Sequence, residues 1–199
     1  MHDWPQDAIG QAVPYGVYDI GANRGYVCVG DCFDVPRFAV DAIGDWWSDE
    51  GSRRYEKAHR LLILADAGGS NSCRSRVWKA QLQEQLCDQW GLEVTVCHYP
   101  TGCSKWNPIE HRLFSHISLN WAGVPLRSFE TVTQYIEGTE TATGLTVKAV
   151  LKRGANEIGE RVTNEEMRTL CLQPHAVCPM WNYTLRPRGD NFSQRQLVH

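Results

Sequence analysis

The chain has 199 residues, of which 42% are hydrophobic and 22% charged. This composition is typical of a globular protein and argues against a disordered or fibrous one. A chain of this length buries about 70% of the surface that it exposes when unfolded, so its core needs no metal or disulfide. Residues 1–143 carry 12 basic and 18 acidic side chains, and residues 144–199 carry 8 and 5. This split neither identifies nor excludes a nucleic-acid partner.

The cysteines and the amino-terminal residues predict a cytoplasmic protein without a membrane partner. No apolar run approaches the roughly 18 residues of a membrane helix, and MHDWPQDAIG lacks the basic and apolar regions of a signal peptide. The eight cysteines form no CxxC pair and lie in apolar segments, which favours reduced, mostly buried thiols over a disulfide scaffold or a zinc site. They are Cys28, Cys32, Cys73, Cys87, Cys97, Cys103, Cys171 and Cys178.

Residues 13–30 predict a β-hairpin, because two short apolar runs flank GANRG, whose Gly and Asn residues suit a tight turn. A helix is predicted next, with Asp34 as its N-cap and Pro36 in its first turn. Its apolar residues recur at helical spacing, so we expect this helix to cover one face of the hairpin sheet. These residues are Phe38, Ala39, Ala42, Ile43, Trp46 and Trp47.

A strand, a helix and a second strand follow. LLILA at 61–65 is a continuous apolar run, which predicts a central strand covered on both faces. The helix is predicted from Val77 to Trp90 and closed by Gly91, and LEVTVC at 92–97 returns as a strand. A right-handed crossover makes the two strands parallel neighbours in a mixed sheet.

Further helices are predicted from Asn107, with Pro108 in the first turn, and over residues 126–143. Beyond Gly144 the pattern weakens to a short strand in LTVKAVL, a capping box at TNEEM and the segment WNYT. We therefore predict a domain over 1–143, a carboxyl-terminal extension over 144–187 and a disordered tail over 188–199.

Asp66 is the first candidate site residue, since it ends the apolar strand and two glycines follow it. Ligands bind at the carboxyl ends of strands in open α/β sheets, and Gly68 and Gly69 allow a ligand to approach the backbone. The alternative is a loop aspartate that only caps the next helix. AGGSN lacks the lysine and the spacing of a phosphate-binding loop.

Glu110 is the second candidate, one turn into the helix that follows the neighbouring strand. The spacing Asn107-x-x-Glu110 also fits a capping box, and from spacing alone the cap is favoured. Paired carboxylates from adjacent elements can instead hold Mg²⁺ or Mn²⁺.

Three residues near Glu110 are candidate DNA contacts. Lys105 and Trp106 offer charge and stacking, although core packing of Trp106 is an equal alternative. His111 suits a phosphate or a water, and a surface histidine is the alternative. His111 and His116 are five residues apart, which does not match the four-residue spacing of zinc hydrolases.

These segments together resemble the bacterial insertion-sequence DDE transposases of the Rhodopirellula type. The resemblance covers nearly the whole chain and is strongest in DAGGSN and SKWNPIEHRLFSHI. It implies an RNase H-like α/β fold, a mixed sheet flanked by helices. It also implies that Asp66 and Glu110 are the second and third acidic residues of a catalytic triad that binds Mg²⁺ or Mn²⁺.

The resemblance also implies an incomplete site. The first aspartate of the family lies on an earlier strand, in a segment resembling VDTKKKE, and nothing similar occurs here. We therefore expect a fold that lacks its first strand, with Asp19 as the only tempting substitute. The implied partners are transposon-end and target DNA and other transposase subunits.

The expected activity is metal-dependent DNA strand cleavage and strand transfer, impaired in this chain. The alternative is a non-catalytic remnant that at most binds DNA or a full-length transposase. A general RNase H-like nuclease is a third hypothesis, and it predicts cleavage independent of transposon ends.

Overall fold

The computed structural model describes residues 10–31, 33–154 and 159–189, with Ser104 described by its backbone alone. They fall into two compact units. The hairpin unit holds the described residues up to Asp34 and those of 105–154, and the crossover unit holds Val35–Ser104 and residues 159–189.

The elements are β1 (Val13–Asp19), β2 (Arg24–Gly30), α1 (Pro36–Trp46), α2 (Ser52–Arg54), β3 (Arg60–Asp66), α3 (Arg76–Leu82), β4 (Glu93–Tyr99), α4 (Ser115–Asn120), α5 (Phe129–Glu137), β5 (Thr146–Lys152), α6 (Asn164–Arg168), β6 (Leu172–Pro174) and β7 (Asn182–Leu185).

The hairpin unit contains the predicted β-hairpin. β1 and β2 are antiparallel, and β5 adds to β2 in parallel, which gives a mixed sheet of order β1-β2-β5. Asn23 takes the left-handed conformation that the turn requires, with φ of 52°. The Asp19 carboxylate accepts the Ala22 N–H at 3.0 Å, so it stabilises the turn.

Helices on the later part of the chain cover the hairpin sheet. α4, the π-helical turn Glu110–Phe114 before it, and α5 supply the apolar side chains that pack on β2 and β5. The core consists of Val27, Val29, Leu113, Ile117, Val132, Ile136, Leu145 and Val147. The helix predicted after residue 34, α1, belongs to the crossover unit, where it packs against α3, and its predicted place on the hairpin sheet stays a prediction. It also begins after Val35, not after an Asp34 cap.

The crossover unit confirms the predicted strand, helix, strand order. β3 and β4 are parallel, and the connecting helix α3 begins at Ser75, whose side chain accepts the Trp78 N–H. α3 continues through a π-helical turn, Gln83–Asp88, and Gly91 with φ of 70° follows it. β7 pairs with β4 and β6 with β7, both antiparallel, giving the mixed sheet β3-β4-β7-β6.

Helices cover one face of this second sheet, and among the described residues the other face is open at β3. On the covered face, Trp78 is fully buried and its Nε1–H donates to the Tyr183 hydroxyl at 2.9 Å. On the open face, Leu62 is 59% exposed and Leu64 37% exposed. The prediction of a central strand covered on both faces is wrong, since β3 lies at the edge of the sheet formed by the described residues. An apolar run does not by itself distinguish the two cases.

Several smaller predictions have outcomes here. The capping box of Thr163 and Glu166 forms at α6. The described cysteines are all free, but Cys171 and Cys178 are exposed. The predicted boundary at residue 143 falls just before β5, which pairs with β2. Of the predicted tail, Arg188 is described and bonds to Asp88, while residues 190–199 lie outside the described residues. Within the described part, no helix combines the length and hydropathy needed to cross a membrane.

Candidate active site

Asp66 is the last residue of β3, in register with Tyr99 of β4. Its side chain is half-buried and shares the strand face of the exposed Leu62 and Leu64, since alternate residues of a strand point to the same side. A Cβ added at Gly68 would meet nothing within 4 Å, so the space beside this backbone is open. The strand end thus presents a carboxylate next to an accessible main chain.

The loop after Asp66 has a defined shape. Gly69 has φ of 60°, a left-handed conformation that suits glycine, and it opens the 3-10 turn Gly69–Asn71. Ser70 is buried, and the Ser72 N–H donates to the Gly69 carbonyl at 3.2 Å. His98 of β4 also reaches this loop, with its Nε2 2.9 Å from the Asn71 carbonyl oxygen.

Glu110 lies in the first turn of a helix in the hairpin unit. Asn107 begins this helix: its Oδ1 lies 3.4 Å from the Ile109 nitrogen and its carbonyl oxygen 3.1 Å from the Glu110 nitrogen. The reciprocal bond from the Glu110 carboxylate, which completes a capping box, is not formed, and this half-buried carboxylate has no partner among the described residues. The capping role favoured by spacing alone is therefore wrong, and the carboxylate is available to a ligand.

Lys105, Trp106 and His111 are all exposed. The Trp106 side chain is 68% exposed, which rules out core packing, and Lys105 Nζ lies 5.3 Å from its ring centroid. His111 Nε2 contacts the Lys105 carbonyl oxygen and so ties the helix to the residues before it. A cation and an aromatic face are thus presented together, five and four residues before Glu110.

The predicted site residues belong to both units. Asp66 is in the crossover unit, and Glu110, Lys105, Trp106 and His111 are in the hairpin unit. Over residues 10–31, 33–154 and 159–189, no group of three or more His, Cys, Asp or Glu side chains is placed to hold a metal ion. The possible substitute Asp19 is buried and bonds to its own turn.

Comparison with protein families decides the identity. A model described as the Rhodopirellula transposase DDE domain matches residues 1–187. The chain belongs to this family. Its two mixed sheets flanked by helices agree with an RNase H-like DDE domain. No curated protein and no solved structure matches the chain.

DDE domains generally use divalent metal ions, and the two carboxylates of this DDE domain fit such ions in donor chemistry. Hard oxygen ligands suit Mg²⁺ and Mn²⁺. The Glu110 carboxylate is available, and Asp66 lies beside open space at Gly68. This fit concerns the donor atoms of Asp66 and Glu110 alone, since the described residues contain no group of three or more possible metal ligands.

The contacts that His98 makes with the loop after Asp66 were not predicted from the sequence. The buried ring contacts the Asp66 loop, yet its position in the alternating pattern of β4 is that of an ordinary core residue. No local signal in the sequence identifies its partners, Asn71 and Trp181, which are 27 and 83 residues away.

Proposed function

We propose that the chain carries the phosphoryl-transfer chemistry of a DDE transposase, metal-dependent DNA strand cleavage followed by strand transfer. The observation that supports this most is the family match over residues 1–187, which includes both candidate carboxylates. The availability of the Glu110 carboxylate adds to it. In the proposed reaction, water breaks a phosphodiester bond and leaves a 3′ hydroxyl, and this hydroxyl then displaces another 3′ oxygen from a target phosphodiester.

Asp66 and Glu110 are the proposed ligands of Mg²⁺ or Mn²⁺. When bound, such ions activate the attacking oxygen and offset the negative charge that builds up on the phosphate. The task of the protein is to orient these carboxylates, on a strand end for Asp66 and on a helix start for Glu110. Gly68 leaves room for the substrate backbone to approach.

Lys105, Trp106 and His111 are the proposed DNA contacts. An exposed indole supplies a stacking surface worth about 1–3 kcal/mol per base, and the neighbouring lysine supplies a cation for a phosphate. His111 donates to a phosphate when its ring turns from the Lys105 carbonyl. The DNA substrates are transposon ends and target, and other transposase subunits are further proposed partners.

We also propose that catalysis by the chain alone is impaired. Two ions held close together repel each other, and each carboxylate that is missing leaves more of this repulsion uncompensated. Because the described residues contain no group of three ligands, a non-catalytic DNA-binding remnant is the second candidate. The proposed location of the chain is the cytoplasm. Mg²⁺ is the proposed ion there.

The test is nicking of a supercoiled plasmid by the full chain with Mn²⁺. We expect slow nicking by the parent and a loss of at least about tenfold in Asp66→Asn and in Glu110→Gln, as for a lost transition-state interaction of about 1.4 kcal/mol or more. Glu165→Gln is the matched control, since it removes an exposed carboxylate from the first turn of another helix. Equal nicking by all four proteins would contradict the proposal.

A second measurement separates the two candidate functions. If the parent does not nick DNA but shifts it on a gel, and Trp106→Ala weakens that shift, the remnant hypothesis is supported. Thermal unfolding with and without Mn²⁺ completes the test, since a ligand that binds the folded state raises its stability. A catalytic site predicts an upward shift in the parent that Asp66→Asn removes.

A further inference from the structure

The His98 side chain links two loops across the covered face of the crossover sheet. It is 6% exposed, and its register partner on β3 is Ala65, the residue before Asp66. Nε2 lies 2.9 Å from the Asn71 carbonyl oxygen, and Nδ1 lies 2.9 Å from the Trp181 carbonyl oxygen. The main-chain N–H of His98 also donates to the Trp181 oxygen, at 3.1 Å.

This link acts on the loop that begins at Asp66. Asn71 closes the 3-10 turn that follows Asp66, so holding its carbonyl limits the movement of the whole segment 67–71. On the other side, Trp181 directly precedes β7, which pairs with β4. The loop is thereby attached to two strands of the sheet through one rigid ring.

Imidazole suits this position because its two nitrogens lie on opposite sides of a flat, stiff ring. Carbonyl oxygens only accept, so a neutral ring, which carries one N–H, donates to one of these two carbonyls, and a ring protonated on both nitrogens donates to both. The Trp181 carbonyl keeps the His98 main-chain N–H, so replacement of the ring by an apolar group removes a donor from the Asn71 carbonyl and favours opening of the loop. Glutamine retains an amide donor and can satisfy one of the two carbonyls.

We propose that His98 is a positioning residue for Asp66: it fixes the loop of residues 67–71 and thereby the orientation of the Asp66 carboxylate. This inference rests on the proposed function, in which Asp66 binds Mg²⁺ or Mn²⁺. Groups that orient metal ligands affect metal affinity without touching the ion. The role differs from a purely structural one because it predicts weaker metal binding in a protein that is still fully folded.

The test compares the parent chain with His98→Leu, which removes the ring and its N–H donor, and with His98→Gln, which keeps an amide donor. His175→Gln is the matched control. The His175 Nε2 bonds to the Thr184 hydroxyl in the same sheet, and this bond does not involve the loop after Asp66. Two quantities are measured at a temperature where every variant is folded. They are hydrogen exchange of the Ser72 amide, which reports the turn, and Mn²⁺ affinity from the electron paramagnetic resonance signal of free Mn²⁺.

We expect His98→Leu to speed exchange at Ser72 by about tenfold and to weaken Mn²⁺ binding by about tenfold. His98→Gln should lie between His98→Leu and the parent, and His175→Gln should match the parent in both measurements. If His98→Leu does not fold, His98→Gln against His175→Gln decides the question.

The outcomes separate this inference from the proposed function. Unchanged exchange at Ser72, or faster exchange with unchanged Mn²⁺ affinity, overturns the positioning role while Asp66 remains a metal ligand. A parent whose Mn²⁺ binding is not weakened by Asp66→Asn overturns the proposed function of Asp66, and the metal role of His98 with it. Faster exchange in His98→Leu together with weaker Mn²⁺ binding supports both.

Discussion

Asp66 and Glu110 are presented by different kinds of structure, one in each unit. In the crossover unit, Asp66 ends a strand, and the loop after it is attached by His98 to residues distant in sequence. In the hairpin unit, Glu110 lies in a helix begun by Asn107, three residues earlier. The position of Asp66 therefore depends on the pairing of a whole sheet, whereas that of Glu110 depends on a local helix start. Damage to the crossover core should reach the candidate site through Asp66.

The largest expected effect comes from the crossover core. Trp78→Ala removes a fully buried indole together with its bond to the Tyr183 hydroxyl. We expect a loss of about 3–5 kcal/mol in the free energy of unfolding, measured by urea denaturation. Trp106→Ala is the control, because a side chain that is 68% exposed should change stability by no more than about 0.5 kcal/mol.

Amide exchange shows whether this damage is confined to one unit. In Trp78→Ala we expect faster exchange in β3 and β4 than in β1 and β2, since Trp78 and Tyr183 both belong to the crossover unit. Equal acceleration in all four strands would contradict the distinction between the two units and would show that they unfold as one.

The same distinction explains which parts of the fold the sequence predicts. The hairpin, the parallel pair β3 and β4 and the capping box of Thr163 and Glu166 involve partners joined by a single turn or crossover. The partners of β5 and β7 were not predicted, because residues far apart in sequence pair there and no local pattern encodes that choice.

The candidate site divides in the same way. The position of Asp66 at the end of a strand follows from the apolar run that precedes it and the glycines that follow. The free carboxylate of Glu110 did not follow from spacing, since Asn107-x-x-Glu110 fits a capping box equally well. Its candidacy came from the resemblance to a family. The contacts of His98 were not predicted, because both are with main-chain oxygens, which carry no residue-specific signal.

Alanine substitutions at two glycines are expected to have intermediate effects. They compare a position packed against a side chain with a position beside open space. In the hairpin unit, a Cβ on Gly25 would collide with Leu113 Cδ1, a flexible side-chain end. We expect Gly25→Ala to lower the free energy of unfolding by about 1–3 kcal/mol in urea denaturation.

Gly68→Ala in the crossover unit is the counterpart of this substitution. Gly68 has φ of −115°, which alanine adopts, and open space around the position of the Cβ. Stability should stay within about 0.5 kcal/mol of the parent. If the substrate backbone approaches here, plasmid nicking should nevertheless fall. Normal nicking by Gly68→Ala would contradict the proposed approach of substrate.

The smallest expected effect is a pH dependence at α6 in the crossover unit. Hydrogen bonds from the Thr163 main-chain N–H and hydroxyl lower the pKa of the Glu166 carboxyl below 4.5. A carboxyl whose pKa is lower in the folded state stabilises the fold above its unfolded pKa, and this contribution disappears as the pH falls through the folded pKa.

Urea denaturation between pH 7 and pH 3 should therefore show a steeper acid loss of stability in the parent than in Glu166→Gln, with Glu165→Gln behaving like the parent. Because this capping box lies in the crossover unit, the acid-induced loss of amide protection, corrected for the slower intrinsic exchange at low pH, should appear in β4 before β2. The opposite order would assign the effect to carboxylates of the hairpin unit.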